Sequence, residues 1–301
     1  HGGPGPWRMA GPPATFDVNK DLATSKPIVD LIEEFKKETR TIKVEAPGAD
    51  VIKRVYAGDI MCARCHKDIH AQWKSTPHAR AMQTLADRGQ QFNPECVGCH
   101  VTGYRRDNGF YSLAHNLSRS MTDVQCEACH GPASVHVELA RSKKFFWDRR
   151  YGVGLPRVSE GDTTGQMDVC APCHARRHEV FPDWPDKEIF TGQPRRFLDY
   201  YLPALFDHRI PYIFPRALYH PDGQILEEDY EYGSFVQSAM FRQGVQCRNC
   251  HSIRTRQYYP NDNSLCTHCH LGRHPADQYD TPEHHHHPAD NPGTRCVNCH
   301  M

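Results

Sequence analysis

Every cysteine in this chain is committed to one spacing. The 14 cysteines fall in seven pairs with two residues between the members, and histidine follows each pair at once. The first four segments end in Cys62, Cys65 and His66; Cys96, Cys99 and His100; Cys126, Cys129 and His130; and Cys170, Cys173 and His174. The last three end in Cys247, Cys250 and His251; Cys266, Cys269 and His270; and Cys296, Cys299 and His300. C-x-x-C-H is the attachment signature of haem c. Two thiols three residues apart on one helical turn face the same way and can add to the two vinyl groups of one porphyrin. The adjacent histidine then reaches the iron as its proximal ligand. A lone C-x-x-C would also suit zinc, a redox dithiol or half of an iron–sulfur site. None of those, and no disulfide framework, requires histidine after all seven pairs. The motifs predict seven covalently held haems.

Seven motifs in 301 residues leave little chain for an ordinary core. Hydrophobic residues make up 38% of the sequence, and mean hydropathy is −0.71. The porphyrins are therefore expected to supply much of the apolar interior. The 23 prolines and 21 glycines favour turns over long regular elements. The expected fold class is mostly irregular, with short α-helices and little β, packed as a multihaem cytochrome c around a closely spaced haem chain. A compact chain of this length has a radius of gyration of roughly 19 Å, so neighbouring macrocycles cannot be isolated from one another.

Charge is balanced, with 36 basic and 36 acidic residues. Haem propionates shift the loaded protein towards the acidic side. No basic run marks a nucleic-acid partner, and no segment has the length and apolarity of a membrane span. The start at His1 shows no signal peptide and reads as a mature N-terminus. Because haem c is attached outside the cytoplasmic membrane, a periplasmic or extracellular location is expected.

Four regions follow from motif placement. Residues 1–55 form an arm and a helix without haem. In that helix Ile28, Leu31, Ile32 and Phe35 recur at helical spacing behind Pro27, and the apolar face is expected to pack on the haem core. Residues 56–180 form a four-haem module, in which Pro77 interrupts or restarts the helix after His66. Residues 181–235 are an aromatic, proline-rich connection expected to wall haem faces. Residues 236–301 form a three-haem module.

Seven of the 21 histidines are proximal, and 14 are left. That surplus predicts bis-histidine, low-spin irons suited to electron transfer. His70, His178 and His274 are discounted, because each follows a proximal histidine by four residues, and His268 lies inside its own motif. The distal candidates are His78, His115, His136, His208, His220 and the run His284 to His287, from which His285 and His287 are chosen, with His1 as a further one.

Several stretches resemble the nitrifier tetrahaem cytochrome family. These are Cys62-x-x-Cys65-His66 followed by Trp73, Ser75 and His78, with one extra residue before the histidine, and the block from Cys126 through His130-Gly-Pro-Ala-Ser-Val to His136. The resemblance implies that His136 is a distal ligand. Segments around His220, Tyr232 and Tyr279 are similar to bacterial proteins with paired C-x-x-C-H repeats. Kinship with pentahaem nitrite reductases and octahaem hydroxylamine oxidoreductases is also implied, with two departures. No motif here ends in lysine, and Met240 stands where a distal histidine precedes one haem. The sequence also stops at Met301, just past the last motif, so that haem is expected to draw its distal ligand from earlier in the chain or from another molecule.

The reading is a heptahaem electron carrier serving redox partner proteins or extracellular acceptors, with self-association into a conducting filament as its extension. The alternative is a multihaem oxidoreductase acting on a small nitrogen or sulfur compound at one five-coordinate haem. No catalytic residue is assigned.

Overall fold

The computed structural model describes residues 26–41, 54–114, 120–142, 154–155, 163–180, 196–206, 218–221, 223, 225–226, 230–251, 263–270, 279–288 and 290–300. Helices dominate, and nearly all are short. After α1 (Lys26–Thr41) come α2 (Asp59–Ala63), α3 (Lys67–Lys74), α4 (Ala81–Ala86), α5 (Pro94–His100), α6 (Cys126–His130) and α7 (Ser134–Ser142). Then follow α8 (Thr163–His174), α9 (Tyr232–Gln237), α10 (Ala239–Arg242), α11 (Cys247–Cys250), α12 (Ser264–His270), α13 (Pro282–His285) and α14 (Val297–His300). The one sheet among the described residues pairs β1 (Arg177–Glu179) antiparallel with β2 (Tyr201–Pro203).

Local chemistry sets these boundaries. Pro77 stops the run from α3 and opens a 3-10 turn, Pro77–Arg80, before α4 begins. Pro94 starts α5, with the Asn93 side chain capping the Glu95 amide. Gly131 closes α6 at φ 74°, a backbone region that glycine enters without strain.

Apolar burial is divided into small clusters. Met82, Leu85, Val97, Val101, Phe110 and Met121 surround the second motif. Ala171, Ala175 and Phe197 pack beside the fourth, with Tyr201 and Tyr232 against them. Phe197 and Tyr201 come from the aromatic connection, so that part of it covers the fourth motif. Ala204, Leu218 and Tyr219 form a third group.

Polar ties join the first and third motifs. The Glu127 carboxylate, only 1% exposed, accepts hydrogen bonds from the amides of Ala57, Gly58 and Ala133 at 2.7–3.0 Å. Gln125 Oε1 accepts from the Asp59 amide at 2.9 Å, and the Trp73 indole donates to the Val124 carbonyl at 2.9 Å. These bonds hold α2 against α6.

The first helix departs from expectation. Leu31 and Phe35 are 65% and 52% exposed, so the apolar stripe of α1 faces outward. Its contacts to the 89–92 turn come instead from polar side chains: Arg40 lies over the Phe92 ring at 4.8 Å, and Lys36 approaches Gly89.

Glu127→Gln replaces one acceptor oxygen with a donor that faces backbone N–H groups. It should cost about 1–3 kcal/mol, the penalty for stranding a buried donor. Chemical denaturation of the haem-loaded protein measures this.

Candidate haem-binding site

Each C-x-x-C-H segment closes a helical turn. The histidine amide donates to the carbonyl of the first cysteine at 2.9 Å for His66, 2.9 Å for His251 and 3.0 Å for His300. This turn brings both thiols to one side and starts the imidazole away from the same point. Among the described residues no group of three or more His, Cys, Asp or Glu could hold a bare metal ion. The donor set is two thiols and one imidazole at each turn, which suits a porphyrin and not a tetrahedral zinc site.

Three proximal rings face a second histidine. His66 and His136 have ring centroids 6.2 Å apart, His78 and His174 are 6.1 Å apart, and His284 and His300 are 6.0 Å apart. These spacings lie within the range of about 4.5–7 Å seen for ring pairs. A metal–imidazole nitrogen bond is about 2.0–2.1 Å, so two imidazoles on opposite sides of one metal have centroids roughly 6.4 Å apart. The three spacings fall slightly below that figure, close enough for a small ring movement to admit a metal. The interplanar angles of 22°, 69° and 12° both orient and cross the rings, and either is compatible with two axial ligands.

The fourth proximal ring to be fixed is His100. Its Nδ1 donates to the Ala81 carbonyl at 2.7 Å, which leaves the Nε2 lone pair free for a metal. A hydrogen bond at one ring nitrogen commonly sets the tautomer of a metal-binding histidine in this way.

The thiols form contacts between motifs. Cys62 and Cys126 are hydrogen-bonded, which raises the first thiol and lowers the second. Cys170 and Cys247 stand in the same relation. The hydrogen bond from Cys173 brings Cys99 down to about 6, and Cys173 itself is raised. Cys99 Sγ also lies 3.8 Å from the Pro172 carbonyl oxygen. Burial pushes Cys129 up to about 11. Burial also holds His78 and His174 below the ordinary imidazole range, and neighbouring imidazoles add to the effect, His174 beside His78 and His251 beside His174.

The other candidates are distributed as follows. His285 and His287 face each other, with centroids 6.4 Å apart and the His287 amide donating to His285 Nδ1 at 3.1 Å. A side chain at Gly293 would collide with the His287 ring. It is His284 from this run, and not the chosen His285 or His287, that stands opposite His300. The signal available was only that four adjacent histidines offer several directions. His220 is exposed beside the Tyr219–Ile225 bridge. His115 and His208 lie outside the described residues, as do His1 and His274. Met240 sits on α10, 37% exposed. His70, discounted by spacing, is engaged elsewhere: its Nε2 donates to Asp59 at 2.7 Å.

Comparison with known proteins gives the kinship. The family model for cytochrome c554 and c-prime matches residues 61–131, the stretch with the first three motifs. Over that stretch the chain is similar to multihaem c-type cytochromes. Cytochrome c-554 of Nitrosomonas europaea is 34% identical over 138 residues, which is 40% of this chain and 57% of that protein. The chain thus spans little more than half the length of that relative. The structure of reduced cytochrome c554 from the same organism aligns over 48% of this chain and 75% of the other, at 24% identity and a TM-score of 0.33. No helix among the described residues is long and apolar enough to cross a membrane.

Asp59→Asn weakens the charge-assisted bond to His70 and should cost about 1–3 kcal/mol. Its thermal unfolding midpoint should fall relative to the wild type while the haem content stays the same.

Proposed function

We propose that the protein is a heptahaem electron carrier. Its seven motifs hold haem c through Cys62 and Cys65, Cys96 and Cys99, Cys126 and Cys129, Cys170 and Cys173, Cys247 and Cys250, Cys266 and Cys269, and Cys296 and Cys299. His66, His100, His130, His174, His251, His270 and His300 supply the proximal nitrogens. The observation that carries the reading is the spacing of the three facing imidazole pairs. It supports His136, His78 and His284 as distal ligands for the irons under His66, His174 and His300. His115, His208 and His220 are further distal candidates, and the resemblance at Met240 marks one motif whose distal partner is not a histidine at that place.

Iron supplies reversible one-electron chemistry when bound, and two imidazoles keep it low-spin in both oxidation states. The chain's work is to fix those ligands and to enclose the macrocycles among Met82, Phe110, Phe197 and Tyr232. It also orients the rings, as the Ala81 carbonyl does for His100. Such centres pass electrons and offer substrate no free coordination position. The partners we propose are one-electron redox proteins or extracellular acceptors, reached outside the cytoplasmic membrane where haem c is attached. The filament extension rested on a missing ligand for the last motif. With His284 facing His300 in the same chain, the relay needs no histidine from a neighbouring molecule at that point, and we place it within one chain.

Intact mass of the purified holoprotein should show seven haems, and each double substitution, such as Cys62→Ala with Cys65→Ala, should remove one. His136→Ala and His284→Ala should each convert one low-spin ferric centre to high spin in the electron paramagnetic resonance spectrum. Unchanged low-spin intensity in either variant contradicts the assigned pair.

A further inference from the structure

The contacts among motifs define an order in space that differs from the order in sequence. The first motif meets the third through α2 and α6, tied by Glu127 and Gln125. The second meets the fourth where Cys99 approaches the Pro172 carbonyl at 3.8 Å. The sixth and seventh are bound together by Asn263: its Oδ1 accepts from the Cys296 amide at 2.9 Å, its Nδ2 donates to the Thr294 carbonyl at 2.8 Å, and its carbonyl accepts from the Cys266 amide at 2.9 Å.

One joint crosses the long gap between modules. Cys170 of the fourth motif and Cys247 of the fifth are 77 residues apart in sequence, yet the segments that carry them lie side by side. Just ahead of these cysteines, the amide side chains of Gln166 and Gln246 hydrogen-bond. Gln166 is 2% exposed, so this is a buried polar pair, of the kind retained only when its partner is in place. Phe197 reinforces the joint. It packs on Ala171 and Ala175, its amide donates to Asp168 at 2.7 Å, and its ring lies 5.1 Å from that of Tyr232.

We propose that the contact between the fourth and fifth motifs, seated by the Gln166–Gln246 pair and by Phe197 against Tyr232, is the joint through which electrons pass between the four-motif and three-motif parts. The inference rests on the carrier reading above and adds its route. The fourth motif becomes a node with one branch to the second motif and one to the fifth, while the first and third motifs, and the sixth and seventh, are tied as pairs. Each crossing is a single electron: the iron ligated by one histidine, His174 or His251, is oxidised, the other is reduced, and no bond or proton changes place. A one-electron reductant at one end and a one-electron oxidant at another complete the balance.

The test uses the holoprotein. A ruthenium photoreductant is coupled to a cysteine introduced at Glu283, beside the seventh motif, and a cobalt(III) acceptor to one introduced at Asp87, beside the second. After a flash, the protein should reduce cobalt in a fast intramolecular phase that does not depend on protein concentration. Cys247→Ala with Cys250→Ala should abolish that phase. Gln166→Leu with Gln246→Leu, which keeps all seven attachment sites, should slow it while intact mass still shows seven haems. If the fast phase survives both double variants, the joint is overturned. If a protein carrying seven haems shows no fast phase even without these changes, the carrier reading itself fails.

Discussion

The closed turn at each C-x-x-C-H segment is the constraint on which the rest of the molecule depends. A single backbone bond, from the histidine amide to the first cysteine carbonyl, sets two thiols and one imidazole in a fixed relation. Recurring along the chain, it makes short helices the main regular structure among the described residues. Long helices would carry consecutive motifs apart. Instead α5, α6, α11, α12 and α14 are little more than the motifs themselves, and the connections between them are free to bring second histidines across.

Those second histidines come from outside the motif they face. His136, after the third motif, opposes His66 of the first, and His78, after the first, opposes His174 of the fourth. Ligation and folding are therefore one problem: a turn can present its imidazole alone, but two segments must meet before a second ring stands opposite. The buried ties at Glu127 and Asp59 bring such segments together. Because buried carboxylates without partners are costly, these ties also oppose registers in which the pairing fails.

Much of this was legible in the sequence, and the reasons are physical. Spacing of two between thiols is a covalent requirement, so the motifs and the short-helix architecture could be read directly. Pro77 ends one helical run because it lacks an amide donor. Which histidines stand opposite the proximal rings was harder to read, since a spare histidine can come from any loop. His78 and His136 stood out through the residues around them, but His284 could not be told from His285 and His287, because direction within four adjacent histidines depends on a helix end at His285 and a left-handed residue at His286 (φ 56°). The outward stripe of α1 was also hidden, as periodicity shows that a face is apolar and not what covers it.

The most direct test of the central claim is a holoprotein structure at a resolution that shows both axial ligands of every iron. The account predicts one iron between the nitrogens of His66 and His136, one between His78 and His174, and one between His284 and His300. An iron under His66, His174 or His300 with an open second face, or with a ligand from another side chain, would contradict it.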